Sequence, residues 1–521
     1  MTIRKKLLVV AVAAACSGHA LADDASARIE ELHETTLNLI QLLVEQKVLT
    51  QEAADAMLKK ARAQAAEKTA QAKAAEAEAS KGVVRVTYVP EHVKREIQEQ
   101  VRQEVVAQAK LERWGDVNAV PEWLDRLKWE GDFRLRYQNE LMSGSNAPEA
   151  AFDSIGQLVG NSTEDNASGK VRLRLGLDAN VTSKVDVGVR ITTGSTSNPV
   201  STNQTLGTYD NKYSLVIDRA FVKLTPNDDL TLWGGRLPNP FFSTDLVWDD
   251  DLNFDGVAVS YAPGAQEPMR EYKPFVTAGV FPLQTIEQNG VTQAEDKWLF
   301  ALQGGLEWQS STRTRIKMGA SYYDYRNITG IANPLIGDTR YDQTAPQFRQ
   351  KGNTLFDIDP SAGGETWALA SEYKIANLTL VADFADYFPL HIIGSIDWAR
   401  NLAFDEAEVR SKTPVGSFAS GYNLGADGYQ FKLTVGYPKL VEQNEWQAFV
   451  GYRYLETDAV LDAFTDSDFH LGGTNAKGFM IGGQYAIYKN TWLAARWMSA
   501  DEVTGLPLAI DVFQLDLNAK F

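Results

Sequence analysis

Apolar and polar residues alternate with a period of two in the part of the chain that begins at Leu127. In the first alternating stretch, Lys128–Gln138, one set of positions is apolar: Trp129, Phe133, Leu135 and Tyr137. The positions between them are charged: Lys128, Glu130, Asp132, Arg134 and Arg136. This pattern predicts strands that have one apolar face and one polar face.

The same alternation returns in Lys170–Asn180, in Val185–Thr192 and in Phe513–Phe521. Each stretch has about ten residues, the length that a tilted strand needs to cross the hydrocarbon of a bilayer. A soluble sandwich also alternates, but its apolar face points inward. We favour a membrane barrel because long polar loops alternate with tight turns, at Asn180–Lys184, Thr225–Asp228, Gln309–Arg313 and Tyr488–Thr491.

The strand count depends on the region Gly364–Leu402. Counting every strand-like stretch gives an odd number, which conflicts with the even count of single-chain bacterial barrels. The conflict disappears if Glu372–Phe384 and His391–Leu402 are strands and Gly364–Ser371 belongs to a long outer loop. We therefore predict an all-β transmembrane barrel of about 16 antiparallel strands, with about 14 or 18 as the alternatives, wide enough to leave an aqueous channel.

Residues 1–22 have the features of a secretory signal. Arg4, Lys5 and Lys6 precede a short apolar run, and Ala20-Leu21-Ala22 forms a small-x-small cleavage site. Lipid attachment at Cys16 is the alternative, although the leucine usual three places earlier is absent.

A helical segment is predicted between the signal and the barrel. Ile29, Leu32, Leu39 and Leu42 recur at spacings that form one stripe, and Ala, Glu, Lys and Gln dominate from Ala53 to Ala79. The stripe predicts self-association as a coiled coil, and a solvated spacer is the alternative. We divide the chain into a signal peptide (1–22), a periplasmic helical or coiled-coil segment (23–113), a linker (114–126) and a transmembrane β-barrel (127–521).

Charge and composition narrow the range of functions. The formal net charge is −17, which argues against nucleic acid as a partner because phosphate binding needs clustered Lys and Arg. On charge alone, an acidic soluble enzyme remains open. Cys16 is the only cysteine, so a chain without its signal has no disulfide and no thiolate chemistry.

Catalytic signatures are absent from the sequence. The five histidines are scattered, and no His-Glu-x-x-His, Walker A or Gly-x-Ser-x-Gly pattern occurs. A hydrolase site on the barrel wall is an alternative without positive support. Asp251-x-Asn253-x-Asp255-Gly256 matches the opening of a calcium loop, but Ala262 occupies the position of the required glutamate. We expect no enzyme activity, no metal and no cofactor.

The third long loop, Leu237–Leu252, carries the candidate selectivity residues. Its four acids are Asp245, Asp249, Asp250 and Asp251. If the loop folds into the lumen, these acids face the basic residues expected on the pore wall: Arg134, Arg136, Arg172, Arg174, Arg190 and Arg236. Opposed charges across a narrow pore select ions. The alternative is that the acids solvate an outer loop and the arginines only fill a polar lumen.

Several stretches resemble a family of outer-membrane porins of Gram-negative bacteria that place a helical, coiled-coil-like segment before a barrel. The stretches that carry the resemblance include Arg85–Glu91, Val120–Leu124, Gly131–Arg136, Pro238–Phe241, Trp248–Gly256, Gly451–Glu456, Phe464–Phe469 and Leu515–Phe521. The resemblance covers nearly all of the chain after the signal. It implies an outer-membrane porin that forms a homotrimer, and it implies no catalytic residues.

These features together predict a water-filled channel in the cell outer membrane. It would allow passive diffusion of small hydrophilic solutes or ions and contact outer-membrane lipid through its outer wall. The alternative is a structural tether whose helical segment binds the cell wall or a partner. The solute is left open, because the lumenal arginines favour anions and the loop acids favour cations.

Overall fold

The computed structural model describes residues 124–521 apart from 268–269, 311–312, 360–364 and 414–421. The predicted signal peptide, the helical segment and nearly all of the linker lie outside the described residues, so those three assignments remain predictions.

Sixteen antiparallel strands form a closed barrel. They are β1 (Leu127–Met142), β2 (Asn166–Thr182), β3 (Val185–Thr193), β4 (Leu215–Asn227), β5 (Leu230–Pro238), β6 (Asn253–Tyr261), β7 (Tyr272–Gln284), β8 (Lys297–Ser310), β9 (Thr314–Arg326), β10 (Lys374–Tyr387), β11 (Leu390–Asn401), β12 (Asp427–Gly436), β13 (Trp446–Leu455), β14 (Ala476–Tyr488), β15 (Thr491–Glu502) and β16 (Ile510–Lys520). The predicted strand count is confirmed.

The remaining elements are short and belong to the loops and to the start of the barrel. Among the described residues there are two helices, α1 (Glu149–Asp153) and α2 (Glu406–Lys412), and three short strands, Gln204–Thr205, Leu355–Asp357 and Trp367–Leu369. Single 3-10 turns lie at Leu124–Arg126, Asp342–Thr344, Asp462–Phe464 and Phe469–Leu471. Among the residues that the structure describes, no helix combines the length and the apolar character needed to cross a membrane.

The strands carry their apolar side chains on the outside. On β1, Trp129 is 71% exposed and Tyr137 47%, whereas Arg136 between them is 3% exposed. The same inversion holds on β16, where Leu515 is exposed and its neighbours Gln514 and Asp516 are buried. A soluble sandwich would bury the apolar set instead, because only a lipid environment makes exposed apolar bands favourable.

The connections alternate in length around the barrel. Between β10 and β11 only Phe388 and Pro389 separate the strands, as the parity argument requires. The region whose sequence suggests an extra strand does adopt an extended conformation at Trp367–Leu369. These residues pair with Leu355–Asp357 inside the long loop 327–373. A strand-like sequence in that loop therefore forms a separate two-stranded sheet and is not part of the barrel wall.

Pairing between β1 and β16 closes the barrel. The register runs from Asp132 opposite Lys520 to Met142 opposite Ile510. Beyond it, Phe521 and Gly131 exchange two backbone hydrogen bonds, of 2.8 and 2.9 Å. Closure leaves no sheet edge unpaired. An unpaired edge would expose backbone N–H and C=O groups to lipid, where nothing can hydrogen-bond to them.

Candidate functional site

The loop between β5 and β6, residues 239–252, lies inside the barrel; we call it loop 3. The Phe242 amide donates to Gln303 Oε1 at 2.8 Å, and Gln303 Nε2 donates back to the Phe242 carbonyl at 2.7 Å. Thr244 Oγ1 donates to Asp397 Oδ2 at 2.5 Å. Gln303 is on β8 and Asp397 on β11, so loop 3 crosses from its own strands to distant parts of the wall.

Aromatic rings hold one side of loop 3 against the wall. Phe241 meets Tyr323 edge-on, with ring centroids 5.5 Å apart, and Trp248 meets the same ring at 5.0 Å. Trp248 also packs edge-on against Phe254 at 4.9 Å. Edge-to-face aromatic pairs contribute more stabilisation than the buried area alone accounts for. This cluster therefore holds loop 3 in a defined position.

Asp251 joins loop 3 to the arginines of β2. Its Oδ1 lies 2.9 Å from Arg174 Nη1 and 3.6 Å from Arg172 Nη1. Its Oδ2 accepts hydrogen bonds from the hydroxyl and the amide of Thr202, at 2.9 and 3.2 Å. Burial opposes the charge on Asp251, but Arg172 and Arg174 outweigh it and lower the pKa of this carboxyl.

Asp245 joins loop 3 to the opposite wall. Gln430 Nε2 on β12 donates to Asp245 Oδ1 at 2.6 Å, and Arg453 Nη2 on β13 lies 3.1 Å from the same oxygen. Arg453 is 1% exposed and also pairs with Asp466 at 3.0 Å. Asp466 belongs to the loop between β13 and β14, residues 456–475, which we call loop 7.

Asp249 and Asp250 have no basic partner within salt-bridge distance in the described part of the chain. Asp249 accepts hydrogen bonds from the amides of Ser467 and Asp251, at 2.9 and 2.7 Å. Burial, followed by the nearby carboxylate of Asp466, raises the pKa of Asp249 to about 8. Enclosure by the protein, followed by neighbouring carboxylates, raises the pKa of Asp250 to about 6.

The wall arginines are held by acids from strands and loops. Arg136 pairs with Asp516 and Asp468, both at 2.8 Å. Arg190 pairs with Asp218 at 2.5 Å. Asp132 lies 2.9 Å from Arg172 and 2.7 Å from Arg174.

Arg134 donates to Asn203 Oδ1 at 2.6 Å. Arg236 lies apart from the other predicted wall arginines, because it pairs with Asp255 at 2.9 Å and lines a different cavity.

One cavity of about 610 Å³ brings together all the predicted loop acids and all the predicted wall arginines except Arg236. Charged residues from several strands and from two loops line it. The basic ones are Arg134, Arg136, Arg172, Arg174, Arg190, Arg219, Lys432 and Arg496; the acidic ones are Asp245, Asp249, Asp250, Asp251, Asp466, Asp468 and Asp516. A second cavity, of about 880 Å³, contains Arg236 and shares Asp251 with the first.

Sequence reasoning missed several members of the charged cavity. Arg219, Lys432 and Arg496 sit at polar positions of alternating strands, so the period-two pattern could have identified them. Asp466 and Asp468 carry no such signal. They belong to loop 7, and nothing in its local sequence says that it enters the lumen.

The calcium-loop pattern has a different use in the folded chain. Asp251 pairs with Arg174, Asn253 Oδ1 accepts from Arg219 Nε at 2.7 Å, and Asp255 pairs with Arg236. The three side chains thus meet three different arginines and do not converge. Within the described residues, no three or more His, Cys, Asp or Glu side chains are grouped so that they could hold a metal ion.

A closed 16-strand barrel with an apolar outer face and a charged interior defines an outer-membrane channel-like protein. The family model described as "Putative porin" matches residues 33–521. The chain belongs to this family of outer-membrane β-barrel porins.

Solved structures to which this chain is similar include three proteins. The channel DcaP of Acinetobacter baumannii is 12% identical, with 76% of this chain and 97% of that chain covered and a TM-score of 0.39. OprB of Pseudomonas putida is 11% identical, with 77% and 96% covered and a TM-score of 0.44. The trimer form of OmpT of Vibrio cholerae is 11% identical, with 76% and 99% covered and a TM-score of 0.40. No curated protein sequence matches the chain.

Proposed function

We propose that this porin is a passive diffusion channel for small hydrophilic solutes and ions, narrowed by loop 3. The observation that carries the proposal is the charged cavity of about 610 Å³ between loop 3 and the wall. Acids on loop 3 and arginines on β1–β4 oppose each other there, so a permeating ion meets both signs of charge at close range. The apolar outer face of the barrel would contact the lipid of the outer membrane.

Conductance in planar bilayers tests the proposal. We expect purified full-length protein to insert in discrete steps, each step adding the same conductance, because each event adds one open pore. Membrane extract from cells that lack the gene, purified in the same way, is the control. Bilayers that stay silent across several preparations of folded, heat-resistant protein would refute the channel function.

A further inference from the structure

Arg134 and Arg219 differ from the other arginines of the charged cavity in their partners. Arg134 Nη2 donates to Asn203 Oδ1 at 2.6 Å, and Arg219 Nε donates to Asn253 Oδ1 at 2.7 Å. Both partners are neutral amides. Throughout the described ranges, neither guanidinium pairs with a carboxylate, although Arg136, Arg172, Arg174, Arg190 and Arg496 all do.

The strand register makes these two charges costly. Arg134 lies directly opposite Arg172 on β2, and Arg219 lies directly opposite Arg190 on β3. Like charges in directly opposed cross-strand positions destabilise a sheet. In each pair an acid neutralises one member, namely Asp132 and Asp251 for Arg172 and Asp218 for Arg190, and the other member is left uncompensated.

Arg134 also has an unused donor. Its Nε is buried and has no hydrogen-bond partner within the described residues. An unsatisfied buried donor costs free energy, so the contact with Asn203 leaves this guanidinium incompletely paired. Both arginines line the same cavity, so a solute there can contact both residues.

The neighbouring acids do not cancel this positive surplus. Asp468 and Asp516 are held by Arg136 and Arg496, and Asp249 is neutral below about pH 8 because burial raises its pKa to about 8. Lys432 adds another positive group without a carboxylate partner in the part of the chain described; its Nζ lies 4.5 Å from the centre of the Phe449 ring. Asp245 and Asp466 share the single cation Arg453, and Asp250 has no basic partner within salt-bridge distance in the described residues, so these acids offset only part of the surplus.

We propose that Arg134 and Arg219 provide two contact positions in one cavity for small anionic solutes that carry carboxylate or phosphate groups. The planar guanidinium presents several donors in a geometry that matches both groups. The inference rests on the proposed channel function and specifies the solute class. A site on the conduction path would bind such solutes weakly enough to release them, as conduction requires.

Block of chloride current by added solutes tests the site. Inorganic phosphate, succinate and neutral sucrose are added to the full-length protein in planar bilayers in potassium chloride. We expect phosphate, succinate or both to reduce the chloride current and sucrose to have little effect. Replacement of one arginine by Gln should raise the half-blocking concentration about tenfold, and Arg134→Gln with Arg219→Gln should raise it further, because each removes a charge-assisted contact.

Arg410→Gln is the matched control. Arg410 lies on α2 outside the charged cavity and pairs with Glu406, so its loss removes the same charge without touching the site. Arg134→Lys and Arg219→Lys keep the charge but lose the planar donor set, and we expect block of intermediate strength. Heat resistance on gels verifies that each variant folds.

The outcomes separate this proposal from the channel function. Block by phosphate alone, succinate alone or both supports the site and identifies the anionic group that it prefers. Equal block by sucrose, or block unchanged in the double variant, overturns the site while the channel function stands. If no protein conducts, succinate and phosphate are titrated into the solubilised protein in a calorimeter. Heat of binding that is present in the unmodified protein and absent in the double variant supports the site. No heat of binding in the unmodified protein overturns the site.

Discussion

At the residue scale, neighbouring aspartates of loop 3 differ in protonation. Asp251 meets two arginines and keeps its charge, and their attraction lowers its pKa against the effect of burial. Asp249 meets only backbone amides and other acids, so burial and repulsion raise its pKa to about 8. The sequence shows three consecutive acids and implies equal charge, whereas the surroundings make their charges unequal at neutral pH.

We therefore predict a pH-dependent selectivity that depends on Asp249. Its folded-state pKa lies above the ordinary value, so the group is neutral below about pH 8 and becomes negative as the pH rises through that value. Anion preference should fall by at least about twofold between pH 7 and 9, the effect of one added charge near the ion path. The reversal potential in a potassium chloride gradient measures it, and Asp249→Asn should remove the change.

The same protonation has a consequence for stability. A raised folded-state pKa means that the contribution of neutral Asp249 to stability is present at low pH and is lost as the pH rises through about 8.

For the selectivity prediction, a change in reversal potential between pH 7 and 9 that persists in Asp249→Asn would show that another group titrates.

For Asp251→Asn we predict a shift in ion selectivity that does not depend on pH. Asp251→Asn leaves Arg172 and Arg174 with Asp132 as their remaining carboxylate, so the lumen becomes more positive. The reversal potential should move toward anion preference at every pH from 5 to 9. Replacement of Asp249, Asp250 and Asp251 together should move it in the same direction. An unchanged reversal potential in both variants would mean that loop 3 does not line the ion path.

At the element scale, Arg453 on β13 is the residue that ties two loops to the wall. It pairs with Asp245 of loop 3 and with Asp466 of loop 7, and its Nε donates to Gln430 Oε1 at 2.6 Å. A buried cation between two carboxylates keeps both from facing an apolar environment alone. The positions of loops 3 and 7 are therefore coupled through one side chain.

Arg453→Met should release both loops. The change leaves two enclosed carboxylates without their cation, and we expect a loss of about 3–5 kcal/mol in the free energy of unfolding, measured with urea in lipid vesicles. Single-channel conductance should become larger and noisier because the loops no longer hold one position. Arg410→Met breaks a partly exposed pair with Glu406 and a hydrogen bond to the Tyr422 carbonyl, and should cost about 1–2 kcal/mol. Equal losses in the two variants would contradict this account.

Strand prediction succeeded where lipid and lumen impose a period of two. The region near Trp367–Leu369 shows its limit, because local sequence can predict an extended conformation without naming the partner strand. That stretch pairs with Leu355–Asp357 inside a loop, and only the parity of the whole barrel excludes it from the wall.

At the scale of the whole molecule, we propose that the barrels assemble as homotrimers through the helical segment predicted before them. The motivation is the stripe of Ile29, Leu32, Leu39 and Leu42, which is typical of a coiled-coil seam.

Deletion of Ala25–Ala79 tests the trimer. We expect barrels that still conduct but that cross-link as monomers, whereas the full chain cross-links as trimers. A truncated chain that conducts and still cross-links as a trimer would locate the interface on the barrel. Loss of an envelope phenotype with conductance intact would instead favour the tether.

Sequence alone predicted the barrel, a count of about 16 strands and the face of the residues in its strictly alternating stretches. The physical reason is that lipid on one side and water on the other make alternate positions apolar and polar, and closure requires an even count. Lumenal residues such as Arg134, Arg136 and Arg172 could therefore be named before any fold was known.

Only the tertiary structure decided which charges meet. Arg136 and Asp516 lie at opposite ends of the barrel sequence and pair because β1 and β16 close the sheet. Arg236 satisfies the same pattern as its neighbours, yet Asp255 holds it beside a different cavity. Coulomb energy depends on separations of a few ångströms in space, and the path of loops 3 and 7 sets those separations. That path determined which two arginines of the charged cavity pair with no carboxylate in the described part of the chain.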